Sequence, residues 1–435
     1  MSVRLSVSTW IDGSKGVATT MLTKVISSAL GLSAILLSAL LFGGCGPAVN
    51  KKAKVSLLPA ASQKALDADF DEAALKRIRS LSPLPPVPAD PTNQYSLNDR
   101  AARLGQFLFF DPKLSANGQV SCATCHDPER QFSLAVPLAV GIKETLRHPP
   151  VLWNLAYGRW SYWDGRRDSL WAQALAPLEE PGEMGTTRAS LLAYFSGDAD
   201  LSAAYREVFG ELPSVDESPD RFFANVGKAI AAYEMKLISR DAPFDDFVVG
   251  VFEDKVAKIE ALSASAQRGL AIFVGRGECT NCHHGPNFSD REFHNIGLDR
   301  GPQGKLDLGR YEGVSAVLVD PFNGRGQFSD APEHAINDRL KYVTQKDNNL
   351  GEFKTPTLRN VALSAPYMHD GRFATLAAVI DFYSELDQVP ALGHREESLV
   401  KLHFSAEEKK DILAFLASLT GKPLPAALLK APSKP

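Results

Sequence analysis

The 435-residue sequence has only five cysteines, nine histidines and one long apolar run, and no extended stretch carries a single charge sign. Each shortage excludes something. Five cysteines are too few and too unevenly placed for a disulfide framework. Forty-seven basic against 51 acidic residues give a net charge of −4 with no basic cluster, so nucleic acid finds no electrostatic footprint. Strand-like alternation of apolar and polar residues is nearly absent, which argues against a sheet-built fold. A hydrophobic content of 44% is still ample for buried cores, and the length suits two or three domains.

The apolar run covers residues 25–42, after Lys24 and before Gly43, Gly44 and Cys45. This is the layout of an export signal, read here as residues 1–45, and it implies a periplasmic protein. An uncleaved anchor is the alternative, because the run is marginally long enough to span a bilayer. Cys45 resembles a bacterial lipoprotein site, although Phe42 stands where Leu is usual, so a membrane tether through Cys45 is the variant of that reading. Met21 would start a shorter and more ordinary signal. Residues 46–92 are Lys- and Ala-rich, then Pro-rich, and are predicted to be an extended tether.

Further along, the pattern turns helical. Leu104, Phe107 and Leu108 share one helical face, and Phe222, Phe223, Val226, Ile230, Tyr233 and Leu237 mark a longer helix. Residues 262–273 and 412–419 behave likewise, the last behind Ser405 and Glu408 as a capping box. Four of the cysteines lie in Cys122-Ala-Thr-Cys125-His126 and Cys279-Thr-Asn-Cys282-His283, each shortly after an amphipathic helix. The arrangement predicts a mainly α fold of two helical domains of similar plan, residues 93–255 and 256–425, packed around an inter-domain interface, with a tail over 426–435. Residues 311–349 are polar and rich in Gly, Asp and Asn; they are predicted to be a solvated excursion, with a partner-binding loop as the alternative.

The two pentapeptides have the spacing for covalent attachment of haem c. Two thiols add to the vinyl groups of the porphyrin, and the following His reaches the iron. A four-thiolate zinc site is the competing use, but zinc ribbons place their Cys pairs much closer and have no need of a His after each pair. Export agrees with haem, since a chain bound for an oxidising compartment must commit its four thiols to something, and thioether bonds do that irreversibly. Each half is therefore predicted to be a cytochrome-c-like haem domain with His126 and His283 as the proximal iron ligands. An open opposite face would mean chemistry, and a closed one electron transfer.

Several further motifs stand in order around these sites: Leu104-Gly105 to Asp111-Pro112, Tyr162-Trp163-Asp164-Gly165-Arg166, the segment from Gln173 to Met184, Asp307-Leu308-Gly309-Arg310, and the run from Phe353 through His369-Asp370-Gly371. With them the chain resembles the family of bacterial di-haem cytochrome c peroxidases and MauG over nearly its whole mature length. The resemblance implies that the haem on Cys122, Cys125 and His126 is the peroxide site. Glu183 then corresponds to the distal acid-base, and Gln173 and Pro177 line the same pocket. A carboxylate suits that place, because peroxide cleavage needs one group to take a proton from one oxygen and return it to the other. Trp163 matches a tryptophan lying between the two haems, and Arg166 beside it is a candidate partner for a haem propionate.

The chain departs from the family's peroxidases in two ways. His148 stands where they commonly have Asn, and no His precedes it in the loop that supplies a dissociable sixth ligand, so the first haem is predicted to be open. His148 as that ligand is the alternative. The same Asn serves a bound calcium ion in the family, alongside carbonyls equivalent to those of Ser364 and Pro366; His is a poor calcium ligand, which leaves one calcium ion as an optional cofactor. At the second haem, Tyr383 stands fourteen residues beyond His369, where peroxidases place a Met ligand and MauG a tyrosine. Met368 is the competing ligand, and a plain core tyrosine on the stripe of Leu376, Val379 and Ile380 is the third reading.

The resemblance implies an enzyme that binds two haems c and reduces hydrogen peroxide with electrons from a small periplasmic cytochrome c or cupredoxin. The alternatives are a MauG-like oxidase acting on tyrosine or tryptophan of a partner protein, and a non-catalytic di-haem electron carrier. A homodimer is compatible with any of these.

Overall fold

The computed structural model describes residues 58–214, 218–301 and 304–435. The export signal and Cys45 lie outside the described residues. Among the described residues no helix is long and apolar enough to cross a membrane.

Helices dominate, and their starts follow from side chains in the sequence. Asn98 accepts the N–H groups of Arg100 and Ala101 at 2.9 and 3.0 Å and opens the helix Asp99–Phe110. Asp71, Ser169, Ser263 and Thr375 cap the helices Glu72–Ser80, Leu170–Glu179, Ala264–Val274 and Leu376–Glu385 in the same way. Ser405 and Glu408 form the predicted capping box ahead of Ala406–Ala417. The only ladder among the described residues is a two-residue antiparallel pair, with Phe293 opposite Lys354 and His294 opposite Phe353. The mainly helical class is as predicted.

Two apolar cores organise the chain. Phe109, Trp171, Phe195, Phe222, Phe223 and Tyr233 centre the first; Phe244, Phe247, Leu270, Phe273, Phe288 and Phe415 centre the second. Their construction is parallel. The 99–110 helix crosses the helix Asp220–Glu234 at Gly105, where an added Cβ would lie 1.8 Å from the Ala229 carbonyl oxygen. The 264–274 helix crosses the 406–417 helix at Gly269, where a Cβ would lie 1.9 Å from the Asp411 carbonyl oxygen. In each half the helix before the Cys-containing pentapeptide is thus pressed backbone to backbone against a later helix, and only glycine permits the approach.

Two predictions need correction. Over its described part, the tether expected at residues 46–92 is folded: it forms the helices Ala60–Lys64 and Glu72–Ser80. Leu75, Ile78 and Leu81 insert into the second core, and Ser82 Oγ donates to Asp245 at 2.6 Å. Burying these side chains outweighs the extended preference of the prolines that follow. Residues 341–349 are largely exposed, but residues 311–340 are not a solvated excursion either. They continue the helix Arg310–Val319, and Phe322 and Phe328 stack in the first core at a centroid distance of 4.9 Å. Two of their polar residues are paired against the fold: Asp330 accepts from the buried Lys228 at 2.7 Å, and the buried Asn337 amide donates to backbone carbonyls.

Candidate active site

The turn Cys122–Cys125 begins where Thr124 Oγ1 accepts the Ser121 N–H at 3.0 Å. It delivers His126 to an interior position where Nδ1 has no hydrogen-bond partner. Burial, reinforced by the nearby His148, pushes the His126 pKa down to about 4, so the ring stays neutral and its lone pair is available to a metal. Burial and the neighbouring Glu183 push the Cys125 thiol up to about 11.

Glu183 lies on the turn after the helix Leu170–Glu179, and its backbone is held from three directions. Its N–H donates to the Glu180 carbonyl at 2.9 Å, its carbonyl accepts from Ile142 N at 2.9 Å, and Lys143 N donates to the Gly182 carbonyl at 2.8 Å. Burial raises the carboxyl's pKa, with Arg166 working in the opposite direction. Gln173 and Pro177 sit one turn apart on the 170–179 helix, and Gln173 Oε1 is buried without a partner. Arg166 is engaged twice, through Nη1 to both Asp164 oxygens at 3.1 and 3.2 Å and with its guanidinium 3.4 Å over the Tyr162 ring.

Tyr162 is a pocket residue that the sequence alone did not single out. Its hydroxyl donates to the Gln173 carbonyl at 3.3 Å, and burial raises its pKa, with Glu183 adding to the effect. The only sequence signal was its place beside Trp163. Glu234 is a second. Its Oε2 is buried without a partner, burial pushes its pKa up to about 8, and its charge acts on Cys122.

At the other pentapeptide, a single turn over Cys279–Asn281 leads to His283. His283 Nδ1 faces the Phe288 carbonyl at 2.9 Å, so the carbonyl accepts the Nδ1 proton and Nε2 is left free as a metal ligand. Cys279, Cys282 and His283 line a narrow cavity together with Tyr383, Met368 and His369. The Tyr383 hydroxyl makes no hydrogen bond among the described residues; burial raises its pKa, and Cys282 and Cys279 act on it electrostatically. Met368 lines both this cavity and a wider neighbour, whereas Tyr383 lines only this one. His294, also on the wall, is clasped by Asp290 and Glu396 at 2.7 Å each, and Asp290 foremost holds it protonated with a pKa of about 11.

Trp163 lines both cavities. Its indole stands edge-on to His369 at 6.5 Å. The wider cavity brings together His148, Ser364 and Pro366. His148 is buried, and its Nδ1 lies 3.0 Å from the Pro137 carbonyl. Trp153, Trp160 and Trp171 are buried.

The halves are tied together beside this wall. Arg147 donates to Asp307 at 2.6 and 2.8 Å and to Asp164 at 2.5 Å, and Arg310 donates to the Asp164 and Gly165 carbonyls at 3.1 and 2.8 Å. The Asp307-Leu308-Gly309-Arg310 motif is therefore a clamp on the Tyr162–Arg166 turn.

The donor set fits two haems c: two thiol pairs, a neutral imidazole beside each pair, and orphaned polar atoms on His126, Gln173 and His369. Comparison with known proteins agrees. Residues 99–252 match the family model of the di-haem cytochrome c peroxidases. The chain is 34% identical to the methylamine utilization protein MauG of Methylorubrum extorquens over 367 residues, covering 83% of this chain and 89% of that one. It is 30% identical to the cytochrome c551 peroxidase of Pseudomonas aeruginosa over 328 residues, covering 75% and 80%. Among solved structures, a MauG-like protein associated with microbial copper homeostasis superposes with a TM-score of 0.61 at 28% identity, over 80% of this chain and 98% of that one. The chain belongs to the di-haem cytochrome c peroxidase family, and is a peroxidase-type oxidoreductase whose cofactor is haem c.

Proposed function

We propose that the chain reduces hydrogen peroxide to two waters in the pocket beside His126, drawing two electrons and two protons from outside through the half that holds His283. When bound, the first haem supplies an iron with an exchangeable coordination position. Cys122 and Cys125 tether that group, His126 ligates it, and Glu183 moves a proton from one peroxide oxygen to the other. Gln173 Oε1 and the Tyr162 hydroxyl give the pocket its remaining polar groups, and Pro177 closes a wall. The observation that carries this reading is the half-buried Glu183, fixed through its backbone near Cys125 with its carboxyl free. Mixing the oxidised di-haem protein with peroxide tests it: a fast spectral change is expected in the natural protein and a change at least a hundredfold slower in Glu183→Gln. Two six-coordinate haems unreactive to peroxide would support an electron carrier instead.

A second reading is favoured by one observation, the unpartnered Tyr383 hydroxyl in the cavity of His283. A phenolate stabilises oxidised iron, so this half would share an oxidising hole better than it would accept an electron from a soluble cytochrome. The substrate would then be tyrosine or tryptophan of a partner protein. Steady-state turnover separates the two: rapid peroxide consumption with a reduced cytochrome c or cupredoxin supports the first, and slow turnover with fast oxidation of a protein side chain the second. Both place the protein in the periplasm, where haem c is attached. Calcium has no part in either reading, because His148 offers nitrogen where the ion wants oxygen, and its Nδ1 is engaged by Pro137.

A further inference from the structure

Three oxidisable rings stand at Trp160, Tyr162 and Trp163, all on the wider cavity, and two of the three are capped by guanidinium groups. Arg166 lies 3.4 Å from the centroid of the Tyr162 ring. Trp160 is flanked twice, by Arg310 at 4.4 Å and by Arg339 at 5.2 Å. Among the described residues no cation stands over the ring of Trp163.

Arg310 is an unusual side chain to pack against Trp160. It is 4% exposed and lies over the rings of both Trp160 and Phe293, the latter at 4.0 Å. Its hydrogen bonds go to the carbonyls of Asp164 and Gly165 at 3.1 and 2.8 Å. The carboxylate that acts on it most strongly, Asp164, is already engaged by Arg147 and Arg166. Burial lowers its pKa to about 10, so it is still a cation at neutral pH. Arg339 keeps its Nε without a partner and donates through Nη2 to the Asp168 carbonyl. An apolar side chain would fill either place without desolvating a charge, and what it would not supply is the charge. A cation attracts the negative face of a neutral aromatic ring. Once the ring has lost an electron, the same contact becomes repulsive. Arg310 and Arg339 therefore hold Trp160 in its reduced form, whereas Trp163, its indole N–H donated to the His148 carbonyl at 2.7 Å, has no cation over its face to oppose a positive charge.

We infer that Arg310 and Arg339 determine where oxidising equivalents go: they make Trp160 a poor electron donor and so confine those equivalents to Trp163. The inference rests on the peroxide reading and on Trp163 as the ring between the two haem-holding halves. The loss that the two arginines prevent is a definite reaction. Trp160 and one water would together give up two electrons and two protons, leaving the indole hydroxylated. Those electrons and protons would complete the reduction of one hydrogen peroxide to two waters, and no external donor would be used.

The matured di-haem protein, treated with one equivalent of peroxide and no donor, tests this through two readouts: the lifetime of the oxidised spectrum, and peptide mass spectrometry for oxygen added to Trp160. In the natural protein Trp160 is expected to stay unmodified. Arg339→Met is expected to shorten the lifetime at least tenfold and to place oxygen on Trp160, and Arg310→Met to do so more strongly because its guanidinium is closer. Trp160→Phe added to either variant should restore the lifetime. Arg310 also fastens the Tyr162–Arg166 turn, and a purely structural effect of losing it would survive that second change. Where Arg310→Met does not fold, Arg339→Met carries the comparison, and Arg310→Lys, which keeps the charge, should behave as the natural protein. An unchanged lifetime with Trp160 unmodified in folded, fully loaded Arg339→Met overturns the inference, and so does a shortened lifetime that Trp160→Phe leaves in place. A natural protein whose spectrum does not respond to peroxide at all would bring down the peroxide reading, and this inference with it.

Discussion

The indole N–H of Trp163 donates to the carbonyl of His148 at 2.7 Å, fixing an aromatic ring that borders both cavities and stands edge-on to His369. Trp163→Phe keeps an aromatic ring but removes the donor. It leaves a buried carbonyl unmet, at a cost of about 1–3 kcal/mol. Both haems should still attach. With peroxide, the haem of His126 is expected to respond as before while the response of the haem of His283 slows at least tenfold. Stopped-flow spectra that resolve the two haems check this, and equal rates at the second haem would show that Trp163 is only a packing residue.

The pH dependence of peroxide reduction should report Glu183. Burial raises its pKa, and the group must be ionised to accept a proton. The rate is therefore expected to fall as pH drops through that raised value, beginning at a higher pH than an ordinary glutamate would allow. Glu183→Gln should cost about 10²- to 10⁴-fold and abolish the acidic limb of the profile. Survival of that limb in the variant would assign it to another group.

How much of this was legible in the sequence depends on how far apart the partners lie. Leu104, Phe107 and Leu108 announced a helix, and Ser405 with Glu408 its neighbour's start, because those signals are complete within one or two turns. The pentapeptides were legible because covalent spacing is local. The packing of residues 58–92 was not, since the prolines around Leu84 mask the helical spacing of Leu75 and Ile78, and the place where those two insert is built by residues nearly 200 positions later. The inward turn of 311–340 was hidden for the same reason: Phe322 and Phe328 are isolated in a polar segment, and only the fold brings them to Phe223. Glu234 and His294 carry no motif, and Tyr162 stands in one only as the neighbour of Trp163. Their importance lies in unmet or shared polar atoms that exist only after folding.

Replacing Tyr383 by Met distinguishes a ligand from a core tyrosine. If the phenol oxygen holds the iron opposite His283, Tyr383→Met changes the low-spin ferric EPR signal of one haem and raises that haem's potential, because a thioether favours the reduced metal. If the ring only packs against Phe382 and Met368, the swap alters stability and leaves the spectrum as it was.

Glu234 predicts a slope in stability. Burial raises its folded-state pKa from 4.5 to about 8, so the folded protein binds a proton that the unfolded chain releases. The resulting stabilisation is fully present below about 4.5 and is lost as pH rises through about 8, at about 1.4 kcal/mol per pH unit across that window. Glu234→Gln keeps the shape without the titration. Its melting temperature is expected to vary less between pH 5 and 8 and to exceed that of the natural protein at the alkaline end.

The clamp of Arg147 on Asp164 and Asp307 makes the last prediction, and the sign of its pH dependence is opposite. Burial alone would raise both carboxyls, but Arg166 and Arg147 hold Asp164 below the usual range, and Arg147 does the same for Asp307. Their contribution is therefore complete above the unfolded value near 3.9 and disappears as pH falls through the depressed folded values. Arg147→Met leaves Asp307 without its cation and Asp164 with Arg166 alone, and should cost up to about 3 kcal/mol. Much of that loss should be recovered when Asp307→Asn is added, since the charge left without a partner is removed with it. Because the same three residues anchor the Tyr162–Arg166 turn to the second half, Arg147→Met should also disturb transfer between the haems at temperatures where the protein is still folded. Chemical denaturation of the single and double variants, followed by haem-resolved peroxide kinetics on each, separates the electrostatic loss from the displacement of Trp163.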